Sequence, residues 1–117
     1  MHRLKRVPAR FFATANGEEP VRTWLKRLSI ADRKTVGKDI QKVEFGWPLG
    51  LPVCRSLGDG LWEVRSDLSD NRTARVIFGF AGDTMVLLHG FIKKTQKTPR
   101  HDRELALRRL RTVSRDR

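Results

Sequence analysis

The sequence has no tyrosine, a single cysteine and no long hydrophobic run. One cysteine, Cys54, excludes an intrachain disulfide and a thiolate metal cluster, and it is typical of the reducing cytoplasm in which we expect the protein to act. No apolar stretch approaches the ~18 residues that span a bilayer, so no membrane is expected. The histidines His2, His89 and His101 lack metal-ligand spacing, and we expect neither a metal nor another cofactor.

Negative charge is also scarce. The chain has 25 Lys and Arg against 13 Asp and Glu, which gives a formal net charge of +12 at pH 7. Such an excess opposes compaction by self-repulsion and favours a ligand of opposite sign. Nucleic acid is the first expectation, an acidic protein the second and a membrane surface the third. The length of 117 residues and the 38% hydrophobic content suit one globular domain, which we expect over 1–117.

The first part of the chain predicts a strand followed by two helices. A short apolar run, Phe11–Ala13, has the character of a strand, and Asn16 and Glu19 have the spacing of a helix N-cap and its reciprocal partner. Ser29 and Asp32 have the same relation at a second helix. Apolar positions recur at helical spacing: Val21, Trp24, Leu25 and Leu28, then Val36, Ile40 and Val43. Because the helices are joined almost directly, they should form a hairpin.

In the second part of the chain the apolar period changes to two. Three runs predict strands joined by tight turns, Leu61–Leu68, Arg72–Phe80 and Thr84–Lys93. Short connections favour an antiparallel meander, and the third run is apolar on both faces, so it should lie inside the sheet. Thr98 is expected to cap a last helix that has Pro99 at its first position.

Alternation along these strands assigns their side chains to two faces. One face is apolar, and we expect the helix hairpin to cover it: Trp62, Val64, Val76 and Phe78. The opposite face carries Glu63, Arg65 and Arg75, and we expect it to be open to solvent. The simpler alternative is a solvated surface on which acids pair with the arginines. The segment from Lys93 to Arg115 favours a binding site, because its nine Lys or Arg face only two acids, a density that suits a phosphate backbone.

Such a face could cut RNA as well as bind it. Cleavage by the RNA's own 2′-hydroxyl needs a base, cations that stabilise the charge growing on the phosphate, and an acid for the leaving oxygen. Arg65, Arg75 and a lysine could supply the cations without a metal. His89, Glu63 or a lysine of lowered pKa are the options for proton transfer. A histidine on an apolar strand is, however, more often a hydrogen-bonded core residue.

Several segments together resemble the phage-derived, HigB-like branch of the RelE/ParE toxin superfamily. They are "VRTWLKRL", "GLWEVRS", "RTARVIF" and "LLHGFIKKTQKTP", the last followed by a helix beginning "RELALRRL". The resemblance runs from about Val21 to Leu110. It implies an α+β fold of the RelE/ParE type, in which an N-terminal strand and a helix hairpin pack on an antiparallel sheet, with a C-terminal helix.

The resemblance also implies a function, the toxin of a type II toxin–antitoxin module. The partner in this branch is usually a helix-turn-helix, HigA-like antitoxin, and we expect it to cover the basic face or displace the last helix. RelE-type members are metal-independent endoribonucleases that cleave mRNA on the ribosome and so inhibit translation. By position, Arg65, Arg75 and Lys94 fit their basic catalytic set. The tyrosine that RelE-like members use near the last helix has no counterpart here.

The expected site therefore has two groups of residues. The catalytic group is Arg65, Arg75, Lys94, His89 and Glu63. The RNA-binding group is Lys93, Lys97, Arg100 and Arg103. Two other functions stay open: ParE-like relatives inhibit DNA gyrase without cutting RNA, and the chain could be an inactive phage-derived protein that only binds nucleic acid.

Overall fold

The computed structural model describes residues 4–50, 52–93 and 97–115, and the side chains as far as Val113. Its elements in chain order are β1 (Ala9–Phe11), α1 (Pro20–Arg27), α2 (Ile30–Gly46), β2 (Cys54–Gly58), β3 (Leu61–Asp67), β4 (Thr73–Ala81), β5 (Thr84–Lys93) and α3 (Arg100–Arg115). The five strands form one mixed sheet with three helices packed on it, so the predicted α+β fold with its C-terminal helix is confirmed.

The strands lie in the order β1-β5-β4-β3-β2. Strands β2 to β5 pair antiparallel in sequence order, and β1 pairs parallel with β5. The predicted meander and the inner position of β5 are confirmed. The first strand is Ala9–Phe11 and not Phe11–Ala13. Strand β2, Cys54–Gly58, was not predicted. It is a short edge strand that lies between Pro52 and a tight turn, and its pairing with β3 defines it more than its own pattern does.

The two helix starts of the hairpin differ in their caps. Ser29 Oγ accepts a hydrogen bond from the Asp32 backbone N–H at 3.1 Å, as predicted. The predicted cap by Asn16 is wrong, because Glu19 is the N-cap residue of α1 and makes no side-chain cap bond. Asn16 lies instead in a turn that Gly17 closes with a positive φ of 83°. Pro20 at the first helical position fixes where α1 begins.

Helices α1 and α2 cover the predicted apolar face of the sheet. The core on this side is made of buried aliphatic and aromatic side chains, chiefly Val21, Val36, Ile40, Val43, Val64, Val76, Phe78, Met85 and Leu87. Trp24 packs flat against Gly90 of β5, where an added Cβ would lie 2.4 Å from the indole ring. Only glycine therefore lets α1 approach the sheet this closely.

Helix α3 covers the other face, which we had expected to be open. A second core lies beneath it, made of Phe12, Leu61, Ile77, Val86, Leu88, Ala106 and Val113. The expectation was wrong because an apolar stripe on α3 and apolar positions on that face can leave water only by packing together. Leu110 contacts Gly79, where a Cβ would lie 2.6 Å from its side chain. No helix among the described residues is long and apolar enough to cross a membrane.

Candidate functional site

The strand register brings the predicted catalytic residues into two neighbouring rows on the α3 side of the sheet. In the first row Glu63 pairs with Ile77 and Ile77 with His89. In the second row Arg65 pairs with Arg75, and Arg75 pairs with Phe91. Residues paired across antiparallel strands point to the same face. Four of the five predicted catalytic residues therefore belong to one surface, and Lys94 lies outside the described residues.

A β-bulge in β5 directs His89 toward α3. Ile77 pairs with His89 while Phe78 pairs with Leu87, so Leu88 is the extra residue. Leu88 joins the core beneath α3, and His89 contacts α3 as well. Strict alternation would have sent these two neighbours to opposite faces. The bulge is what brings the imidazole to the site.

His89 forms a short polar pair with Asp102, in the first turn of α3. The distance from His89 Nε2 to Asp102 Oδ1 is 2.6 Å, and the imidazole remains 17% exposed. Because a carboxylate only accepts, Nε2 carries the proton in the neutral ring and Nδ1 is the free acceptor. Phe91 stacks on the same ring, with centroids 5.5 Å apart. The arrangement fixes an imidazole in one orientation with one nitrogen available for proton transfer.

Asp102 was not among the predicted site residues. In the sequence it is one acid within a basic segment, and only the docking of α3 brings it to His89. A carboxylate is also favourable in a first helical turn, near the positive end of the helix dipole. His101 Nε2 lies 3.7 Å from the same carboxylate but is 80% exposed. The two histidines thus share an acid and differ in burial.

Glu63 lies at the centre of a buried ionic cluster. Thr98 Oγ1 donates a hydrogen bond to Glu63 Oε2 at 2.5 Å. Arg55 Nε lies 3.4 Å from Glu63 Oε1, and Arg75 Nη1 lies 3.8 Å from the same oxygen. Arg55 also donates to Thr98 Oγ1 at 3.1 Å. Arg55 was missed because β2 was missed, since the pairing of Arg55 with Glu63 places it on this face.

Arg75 has no exposed surface, so the expectation that it faces solvent was wrong. Burial lowers the pKa of Arg75, which Glu63 opposes by attraction and Arg65 and Arg55 reinforce by repulsion. Arg65 remains partly exposed at the same level of the sheet. Three guanidinium groups around one carboxylate leave a positive local field. The cluster therefore both fixes the sheet to the start of α3 and favours an anion beside it.

The predicted RNA-binding lysines lie where β5 ends. Lys93 pairs with Thr73 across the sheet, two positions beyond Phe91, and so shares the face of His89 and Phe91. Its side chain is partly buried, whereas Lys97 is exposed. These two lysines extend the cationic surface from the arginine row toward the start of α3.

The two predicted RNA-binding arginines have different surroundings. Arg100 is exposed and pairs with Glu104 along the helix at 2.8 Å. Arg103 is held against the β2–β3 turn, where it donates to the Leu57 carbonyl and to Asp59 at 2.6 Å. Arg103 therefore fastens α3 to the sheet, while Arg100 points its charge to solvent.

Comparison with known protein families places this geometry in context. A family model described as phage derived protein Gp49-like (DUF891) matches residues 23–111. The match extends from α1 into α3 and contains all the residues described above at the site. No curated protein matches the chain significantly.

Proposed function

Because the chain belongs to the phage-derived Gp49-like family, a RelE/ParE-like toxin family, we propose that it is a toxin that cleaves mRNA on the ribosome without a metal. The family is associated with toxin–antitoxin modules, so the chain has an antitoxin partner. We propose that this partner is a HigA-like helix-turn-helix protein. The observation that carries the proposed activity is the His89–Asp102 pair on the same face as Arg65 and Arg75.

The pair supplies the base that cleavage requires. His89 Nδ1 takes the proton of the ribose 2′-hydroxyl as the 2′-oxygen bonds to phosphorus. The bond from phosphorus to the 5′-oxygen then breaks, and an acid protonates that oxygen. Asp102 keeps the imidazole oriented and stabilises the imidazolium that forms, as the carboxylate does in other histidine–acid pairs. The products are a 2′,3′-cyclic phosphate and a 5′-hydroxyl end.

The arginines supply the electrostatic part of the mechanism. Arg65 is partly exposed, so it can contact the phosphate directly, and Lys93 and Lys97 extend the same surface. Arg75 is buried and acts through its field, because a cation in a low-dielectric site is weakly screened. Only contacts that strengthen as charge develops on the phosphorane speed the step.

Glu63 has a positioning role in this mechanism. It is fully buried and is engaged by Thr98, Arg75 and Arg55, so its carboxylate is committed to the fold. The half-buried ring of Phe91, stacked on His89, offers an edge or face to a base of the bound message. Stacking on aromatic side chains is the usual way in which proteins hold unpaired bases.

Induced expression with mapping of mRNA 5′ ends tests the activity. Wild type should produce new 5′-hydroxyl ends within translated messages. His89→Gln should reduce them by about 10²-fold or more, the scale of one lost general base. His101→Gln is the matched control, because it removes the exposed neighbour of Asp102 and should cleave normally. Thermal unfolding of both purified variants separates lost chemistry from lost fold.

Other outcomes would contradict the proposal. Intact messages together with stalled replication and inhibited supercoiling by purified gyrase would indicate a ParE-like inhibitor instead. Wild-type cleavage by a folded His89→Gln protein would remove the imidazole from the mechanism. The absence of any growth effect would leave a nucleic-acid-binding protein without toxic activity.

A further inference from the structure

A groove lies on the α2 side of the molecule, away from the His89 surface. It has a volume of about 860 Å³ and runs between the C-terminal half of α2 and the segment that leads to β2. Its lining residues are Lys38, Gln41, Lys42, Phe45, Leu49 and Val53. The volume is within the range of ligand-binding clefts.

The floor of the groove is apolar. Phe45, Leu49 and Val53 are each only partly buried, although the chain buries other aliphatic and aromatic side chains almost completely. Leu49 is fixed against the end of α2, where a Cβ on Gly46 would lie 3.2 Å from its side chain. The floor is therefore shaped by packing, and it keeps apolar surface in contact with water that an occupant could displace.

The rim of the groove is cationic. Lys34, Lys38 and Lys42 are exposed at intervals of four residues, which places them in one line along α2. Lys42 lies 3.4 Å from Asp39, but its side chain is 63% exposed and this pair neutralises one charge only. An apolar floor beside a row of lysines is complementary to a helix that has an apolar stripe flanked by Asp and Glu.

We propose that this groove docks an acidic amphipathic helix of the partner protein. The inference rests on the proposed toxin–antitoxin function for the identity of the partner. RNA fits less well, because the floor is largely aliphatic and its contacts would leave phosphates beside apolar surface. A second copy of the chain fits poorly, because two copies of net charge +12 repel each other.

The position of the groove separates partner binding from the chemistry. Helix α2 packs on the face of Val64 and Val76, whereas His89 and Arg65 lie on the opposite face of the same sheet. A helix bound in the groove therefore leaves the His89 surface uncovered. The partner then needs a second segment to block that surface, so the two contacts should be separable by substitution.

Titration of the purified chain with the purified product of the neighbouring reading frame tests the groove. The variant Lys38→Glu/Lys42→Glu reverses the rim, and we expect its Kd to rise about tenfold or more with faster loss of affinity in salt. The matched control is Lys26→Glu/Arg27→Glu, an equal charge change on exposed residues of α1. Thermal unfolding establishes that both variants fold, and both should still arrest growth when expressed without the partner.

The outcomes distinguish this inference from the proposed function. Equal Kd values for the two variants, or a wild-type Kd for the rim variant, overturn the groove as the docking site while growth arrest remains intact. A chain that causes no arrest but loses affinity only in the rim variant keeps the groove and removes the toxic activity. Binding of the rim variant to anionic lipid vesicles that falls in parallel with partner binding would assign the groove to a membrane surface and contradict the proposal.

Discussion

The two faces of the sheet are built on different physical terms. Beneath α1 and α2 the contacts are apolar, and four rings, Trp47, Trp62, Phe78 and Phe80, pack with centroids 4.8–5.9 Å apart. Beneath α3 a smaller apolar core continues into buried charges, Glu63 and Arg75 among them. Burial of apolar surface is non-directional, whereas buried charges are tolerable only while their partners are present.

This difference indicates how the chain divides stability and function. The hairpin face can accept changes of shape at a graded cost, because many weak contacts share the load. On the α3 face a single missing partner leaves a buried charge or polar group without compensation, at a much larger cost for its size. The same buried charges generate the positive field that the proposed reaction uses. Each prediction below breaks or sharpens this comparison.

The largest expected effect is on the apolar face. Phe78→Ala removes a fully buried ring from the centre of the aromatic group and should lower the free energy of unfolding by about 3–5 kcal/mol. Urea unfolding measures it. Leu4→Ala is the control, because Leu4 is 87% exposed and its loss should cost less than about 0.5 kcal/mol. A loss below about 1 kcal/mol at Phe78 would mean that the face collapses around the cavity.

The next effect separates the two arginines of the second row. Arg75→Ala should lower the free energy of unfolding by about 3 kcal/mol, because it leaves the Glu63 charge buried with only Arg55 nearby. Arg65→Ala, at the partly exposed neighbour, should cost less than about 1 kcal/mol yet reduce cleavage strongly. Equal unfolding free energies for the two variants would show that burial of Arg75 is not compensated by Glu63.

Cys54 tests whether charge on one face is felt on the other. Burial, and secondarily the Glu63 charge, raise the pKa of the Cys54 thiol to about 11. The folded chain then holds this proton more tightly than the unfolded chain, so stability is fully present below the ordinary thiol pKa and falls as pH rises toward 11. Between pH 8.5 and 11 wild type should lose about 2 kcal/mol more than Cys54→Ala. Parallel pH profiles would contradict the raised pKa.

The smallest effects separate the two arginines of α3. Arg103→Ala should cost about 1–2 kcal/mol, because its charge-assisted bonds to Leu57 and Asp59 fasten the helix. Arg100→Ala should leave stability unchanged but weaken RNA binding and lower the salt slope by about 0.7, the value for one phosphate contact on a single strand. Unfolding curves and salt titrations measure the two quantities. The reverse assignment would mean that Arg103 releases the turn to bind RNA.

Local patterns were sufficient for most of the fold. The helical spacing of apolar residues predicted the hairpin, the period of two predicted the meander, and the Ser29–Asp32 spacing predicted a cap. These signals depend on residues within one or two turns of each other, so the sequence carries them directly. Strand β2 escaped prediction because an edge strand of five residues is defined by its partner β3. The Asn16 cap failed because the same residue type also favours turns.

The sequence by itself determined which side chains share a face, and it placed Glu63, Arg65 and Arg75 together correctly. Only the tertiary structure decided what covers that face. Docking of α3 buried Arg75, brought Thr98 and Asp102 to their partners and enclosed a second core. The bulge at Leu88 then set the direction of His89. Periodicity is a local property of the chain, whereas cover, register and ion pairing depend on contacts between distant segments, and that is why the site needed the structure.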